Sequence, residues 1–392
     1  MEEISREAFE YLIRTRRYLH ENPEPAPYED ETCRFIGNEL ARFGIPYEVV
    51  ENGGIIARIL GSQPGRTLLL RADLDALPME EGENNLSGKK AVCSVRPGAA
   101  HLCGHDAHTA MLLTAAGILN EKRKELEGEI LLVWERGEEN YSGIDSICKA
   151  LKRYHVDHFF GIHVYAALES GCFAVPCGPC MAGNAVFHVT IRGKGCHGAT
   201  QELGIDPIQG MISVINALNA RIFRLPGPFE QAVFSIGSVH GGTCWNIIPE
   251  EAGFDGSFRF FDEELGRRLI AWFKRITAET AHACGCEAVI DITERPPVIN
   301  QAEFAGYITG ILKKNLGPAS VREIRPWMAS ESAAYYLKEY PGAFAFLGIA
   351  NPETGCGAPH HNPGFDVDES ALAAGVKGLV SIAMTYCGRE NR

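Results

Sequence analysis

The densest chemistry in the sequence is His101-Leu-Cys-Gly-His-Asp-Ala-His108, which packs three imidazoles, a thiol and a carboxylate into one short stretch. Cys103 and His105 are two apart, so an extended segment points both side chains the same way. Thiolate and imidazole are good ligands for a borderline-soft ion such as zinc. So local a cluster supplies only two or three ligands, and a working site must draw others from distant chain. Asp75, Glu138, Glu139, His163 and His361 have the right chemistry. Together with Cys103 and His105 they suffice for two ions of the kind that clamp a water in two-metal hydrolases. The adjacent carboxylates Glu138 and Glu139 suit a division of labour, one binding metal while the other takes a proton from the water. Singly, each residue has a plainer reading: a solvated Glu pair, a hydrogen-bonded His after a strand, Asp75 as a cap or turn residue, His360-His361 as a surface pair. For all of them to be plain, a Cys-x-His cluster, a Glu pair and isolated histidines would have to gather by accident at element ends.

The elements that must carry these residues can be read from hydrophobic periodicity. Helices are expected over Ser5–His20 and Glu29–Phe43. Strands follow at Ile55–Leu60 and at the apolar run Thr67–Arg71, with Asp73 and Asp75 beyond its carboxyl end. The apolar run after His108 is a helix. Glu129–Trp134 is a buried strand leading into Glu138-Glu139, and Phe159–His163 is a strand with His163 at its far end. Alternating strands and helices predict an α/β domain with a mainly parallel sheet, where ligands bind beyond the strands' carboxyl ends. From Asn184 the pattern changes: strands at Val186–Ile191, Ala232–His240, Ala252–Phe261 and Ala288–Ile292, with helices at Pro207–Phe223 and Glu263–Cys284. That β-α-β-β-α-β order is the ferredoxin-like α+β motif. The expected organisation is a discontinuous domain, 1–183 and 294–392, with 184–293 inserted. Further helices are expected at Ala302–Leu316, Glu331–Leu337 and Glu369–Cys387, and a strand at Ala343–Leu347.

Composition narrows the function classes. A chain of 392 residues exceeds one ordinary core, and a net charge of −13 shows no nucleic-acid footprint. No apolar run reaches the roughly 18–20 residues of a membrane span. The acidic start Met-Glu-Glu-Ile-Ser-Arg is unlike a signal peptide, and the cytosol is the expected compartment. The 13 cysteines, an odd number in a large chain, are unlike a secreted disulfide framework. Cys177-Gly-Pro-Cys180 has redox or zinc spacing, but no second such pair completes a four-thiolate site.

Seven motifs in order carry a family resemblance: Arg71-Ala-Asp-Leu-Asp-Ala-Leu-Pro-Met79, Cys103-Gly-His-Asp-Ala-His108, Glu138-Glu139, Gly161-Ile-His-Val164, Gly193-Lys-Gly-Cys-His-Gly198, Asn246-Ile-Ile-Pro249 and His361-Asn-Pro. In these the chain resembles the M20-type metallopeptidases and aminoacylases, and more narrowly the N-acyl-amino-acid amidohydrolases, hippurate hydrolases and auxin-conjugate hydrolases. The resemblance implies a di-metal hydrolase domain and an inserted lid and dimerisation domain, hence a homodimer. It implies Cys103, His105, Glu139, His163 and His361 as ligands of two divalent ions; thiolate and imidazole favour zinc, while the carboxylates leave manganese or cobalt open. It implies Glu138 as catalytic base, Asp75 behind a ligand, and His197 polarising the scissile carbonyl in a partner subunit's site. Asn246 and Arg259 would bind substrate, Arg259 through a carboxylate. The implied reaction is hydrolysis of an N-acyl amino acid. Rivals are a dipeptidase or carboxypeptidase on the same scaffold, a non-catalytic binding protein, and a thiol redox protein using Cys177 and Cys180. Three stretches depart from the family pattern. Its usual Gln-Pro-Ala-Glu-Glu is Glu135-Arg-Gly-Glu-Glu139 here, its frequent Ser-Glu-Asp-Phe is Ser330-Glu-Ser-Ala333, and Gly82–Cys93 is unusual.

Overall fold

A computed structural model describes residues 4–388. The chain forms two compact units. The first runs to Gly178 and resumes at Asn300–Arg325 and from Ser332 onward; the second is Pro179–Ile299 with Pro326–Glu331.

The first unit is built on a seven-stranded sheet in the order Tyr47–Val50, Gly54–Leu60, Glu127–Glu135, Gln63–Asp73, His158–Glu169, Gly342–Ala350, Phe173–Ala174. The four central strands are parallel. The strands flanking them pair antiparallel, so the sheet is mixed at its margins. Leu68, Leu69, Leu70, Leu131, Leu132 and Val133 are fully buried, as the uninterrupted apolar runs of a sheet covered on both faces require. Covering elements include the helices Arg6–Glu21, His105–Glu121, Ala302–Leu316 and Leu372–Tyr386. Ser5 caps the first of these by accepting the Ala8 N–H. His105–Glu121 is buried on nearly every side, which its all-round apolar sequence permits.

His163 is not at a strand end. Its strand continues to Glu169, because Gly342–Ala350 goes on pairing with it through Phe346 opposite His163 and beyond. The pairing with Gln63–Asp73 stops at Arg71 opposite Gly161, so His163 lies just past the point where that neighbour leaves. The expected helix at Glu331–Leu337 is Ala333–Glu339, and the last helix begins only at Leu372, after a 3-10 turn at Glu369–Ala371.

The second unit has a four-stranded antiparallel sheet in the order Ala232–Gly241, Glu251–Phe260, Gly183–Arg192, Glu287–Arg295. The helices Pro207–Arg221 and Glu263–Ala283 start at Asp206 and Asp262, whose carboxylates accept N–H groups of the first turn. Phe187, Phe234, Phe254, Phe258 and Phe273 fill the core between sheet and helices. Chain order and strand order together give the ferredoxin-like α+β arrangement. No helix among the described residues is long and apolar enough to cross a membrane.

Candidate metal centre

The central parallel strands deliver the candidate residues to one edge. Gln63–Asp73 ends on Asp73, with Asp75 two residues on, and Glu127–Glu135 leads into Glu138 and Glu139. The helix His105–Glu121 starts on the Cys-x-His cluster. Its N-cap is Gly104 at φ 94°, where a Cβ would sit 2.4 Å from Val164 Cγ2. Glycine meets both the left-handed backbone and the close approach.

Hydrogen bonds determine which nitrogen each imidazole turns inward. His105 Nδ1 lies 3.0 Å from Asp75 Oδ1 and donates there, which leaves Nε2 for a ligand role. Asp75 Oδ2 accepts the Glu139 N–H at 3.0 Å, so one carboxylate orients two candidate ligands. His163 Nδ1 donates to the Val164 carbonyl at 2.6 Å and presents Nε2 3.6 Å from Cys103 Sγ. His108 is different: Nδ1 meets Asp73 Oδ1 at 2.6 Å and Nε2 accepts the Val164 N–H at 2.8 Å, so both nitrogens are committed. His360 spends Nε2 on the Ala166 N–H at 3.2 Å and turns Nδ1 toward Cys103 Sγ at 3.9 Å. These two histidines support the centre rather than complete it.

Ligand atoms of Cys103, His105 and His163 lie within 4.8 Å of one another, as do those of Cys103, Glu139 and His361. The five residues thus form two triads with Cys103 in common. Two further groups of the same compactness are His105, Glu138 and Glu139, and Asp73, His105 and His108. Among the described residues, buried His105 Nε2 and Glu139 Oε1 have no hydrogen-bond partner, although Glu139 Oε1 is 3.2 Å from His361 Nε2. Bare inward-facing ligand atoms beside a thiol fit divalent cations. Burial, with Glu139 beside it, pushes the Cys103 thiol well up. For His105 burial works downward, but Asp73 and Cys103 outweigh it and hold the imidazole well above its ordinary range. A cation entering this centre displaces protons, so its affinity weakens in acid.

The model of peptidase family M20/M25/M40 matches residues 69–385. The chain belongs to this family. Its relatives include thermostable carboxypeptidase 1 of Saccharolobus solfataricus, 33% identical over 98% of this chain and 97% of that protein. Another is the N-acyl-L-amino acid amidohydrolase of Geobacillus stearothermophilus, 37% identical over 74% of this chain and 78% of that protein. The crystal structure of a dinuclear metal-binding M20 peptidase from Bacillus subtilis superposes with a TM-score of 0.83 at 29% identity, covering 98% of this chain and 99% of that one.

Within the M20 fold, the loop that departs from the usual motif is firmly held. Glu29 accepts the Gly137 N–H at 2.8 Å and the Arg136 Nε–H at 3.0 Å, and Arg136 also reaches Asp30. Burial, with Asp75 nearby, raises Glu29 above the usual carboxylate range. Glu138 Oε1 accepts the Ser332 N–H at 2.9 Å.

His197, Asn246 and Arg259 lie in the second unit. His197 is exposed on the short strand Cys196–His197, which pairs with Ile247–Ile248, and the Gly198 N–H donates to Asn246 O at 2.8 Å. Arg259 lies elsewhere in that unit, donating from Nη1 to Ser330 Oγ at 3.1 Å. Cys177 is exposed and Cys180 is buried, and neither is in a disulfide.

Sequence reasoning missed the roles of Asp73, His108, His360 and Ser332. His105-x-x-His108 at the start of a helix was a usable signal, since residues three apart share a face. For His360 the partners are a backbone N–H and a thiol from distant chain, which no local pattern reveals.

Proposed function

We propose that this protein hydrolyses the amide bond of N-acyl amino acids, releasing an amino acid and a carboxylic acid. The observation that carries the reading is the carboxylate pair beside the two triads: Glu139 belongs to a triad, while its neighbour Glu138 is buried within reach of His105 and Glu139 and anchored by a backbone N–H. Cys103, His105, Glu139, His163 and His361 would hold two divalent ions, zinc or manganese, with cobalt a further candidate. Bound ions would supply an activated water and Lewis-acid polarisation of the scissile carbonyl. Glu138 takes the proton of the attacking water and returns one to the leaving amine. Asp75 keeps His105 and the Glu139 backbone in place for this. His197 stabilises the developing oxyanion from a partner subunit's second unit, which acts as lid and dimer surface. Asn246 and the forked guanidinium of Arg259 bind the substrate carboxylate end. Cysteines outside any disulfide among the described residues fit a reducing cytosol.

The test is Glu138→Gln, which keeps the shape and the acceptor for Ser332 but cannot take a proton. It should retain the wild-type metal content on elemental analysis and lose at least about 100-fold in kcat. Near-normal turnover would remove Glu138 from the reaction. The similarity to a carboxypeptidase favours a second reading, peptide hydrolysis on the same centre. A free α-amine on the substrate separates the two, because a peptidase accepts it and an acylase requires it blocked.

A further inference from the structure

We propose that Glu135 and Ser332 are a charge-exchangeable pair that positions Glu138 through Arg71. The inference rests on Glu138 being the base. A buried side-chain cluster lies behind this residue. Arg71 is buried and uses all three guanidinium nitrogens: Nε to Glu135 Oε2 at 2.8 Å, Nη1 to Asp73 Oδ2 at 2.8 Å, and Nη2 to Ser332 Oγ at 2.7 Å. The Ser332 hydroxyl donates in turn to Glu135 Oε1 at 2.7 Å. The backbone N–H of the same serine holds Glu138 Oε1 at 2.9 Å. Ser332 therefore joins the arginine cluster to the base, with its side chain on one and its backbone on the other.

Glu135 carries the carboxylate of this pair and Ser332 the neutral hydroxyl that donates to it. The geometry lets that carboxylate sit at either position. With glutamine at 135 and aspartate at 332, the glutamine oxygen would take the Arg71 Nε–H and its amide would donate to the aspartate. The aspartate would also take the Arg71 Nη2–H. The hydrogen bonds named here are matched in number and the net charge is the same in both versions; only the carboxylate has moved across the cluster. Either substitution alone upsets the count. Glu135→Gln leaves a buried guanidinium with one carboxylate fewer, and Ser332→Asp sets two buried carboxylates against each other. Both would shift the backbone N–H on which Glu138 depends. Glu135 and Ser332 are positioning residues that keep the base in place.

The experiment is a double-mutant cycle on the metal-loaded full chain, reading kcat, KM and metal content with a hydrolysed N-acyl amino acid. Each single variant should lose about 100-fold in kcat, as small displacements of a catalytic group do, with KM and metal content little changed. The double variant Glu135→Gln/Ser332→Asp should recover to within about tenfold of wild type. Single variants with wild-type kcat, or a double variant as poor as the product of the singles, would overturn the exchange. If a single variant does not fold, a folded and active double variant supports the proposal, and an unfolded double variant overturns it. Glu138→Gln in the double background separates the two readings: retained turnover there would sink the role of Glu138 without touching the rescue.

Discussion

Among the five proposed ligands, Cys103 is the residue on which both triads depend, and its neighbours are arranged to keep its sulfur facing inward. His163 approaches it with a nitrogen whose partner nitrogen is already tied to a backbone carbonyl. His360 approaches it with the nitrogen that its other contact leaves available. If the two triads are one centre, removing the sulfur disturbs both. Cys103→Ala should weaken retained metal by at least about tenfold when the protein is dialysed against a graded chelator, a loss of the size seen even for groups behind the ligands. Metal content equal to wild type across that series would separate Cys103 from the centre. Cys103 and His105 stood out in the sequence as candidates, because soft ligand types at close spacing are rare outside such sites. The supporting histidines were not, since their meaning lies in bonds to the backbone at Val164 and Ala166.

At the level of elements, the start of the His105–Glu121 helix is held by a buried charge network. Arg16, from the helix Arg6–Glu21, meets Asp106 at 2.8 Å, and His20 meets the same carboxylate at 2.8 Å. The other nitrogen of His20 lies 2.9 Å from Glu81, which also takes Lys90 at 2.8 Å. The network gives the unusual segment Gly82–Cys93 a structural purpose: Lys90, buried and also bonded to the Pro363 carbonyl, anchors it. Burial alone would raise Glu81, but His20, Lys90 and the Ser94 N–H outweigh it and hold the carboxyl at about 2. A carboxyl depressed on folding stabilises fully above its unfolded value, near 4.5, and loses that contribution as pH falls toward 2. Glu81→Gln should therefore cost about 3–5 kcal/mol at neutral pH, because it removes the carboxylate that the buried Lys90 ammonium and His20 both meet. The gap to wild type should close between about pH 4.5 and pH 2 in denaturant unfolding followed at a series of pH values. A gap that does not change with pH would assign the loss to packing.

For the whole molecule, the readable part of the fold was the part with a period. Uninterrupted apolar runs marked the central parallel strands, and alternation with helical spacing marked the ferredoxin-like unit. Strands of two to four residues, such as Tyr47–Val50 and Phe173–Ala174, are too short to carry a period and passed as loop. Their antiparallel pairing makes the sheet mixed at its margins. The return of Pro326–Glu331 to the second unit was equally hidden, since tertiary contacts alone define it. The proposed reaction rests on residues that the sequence offered as candidates, and the substrate is where the family relatives diverge, with a carboxypeptidase and an acyl-amino-acid amidohydrolase both similar to this chain. The most direct test is amino-acid release from N-acetyl, N-benzoyl and long-chain N-acyl amino acids and from unblocked dipeptides, each with and without chelator. Release from the blocked amino acids that chelator abolishes is the predicted result. Release from dipeptides alone, or release that chelator leaves untouched, would contradict it.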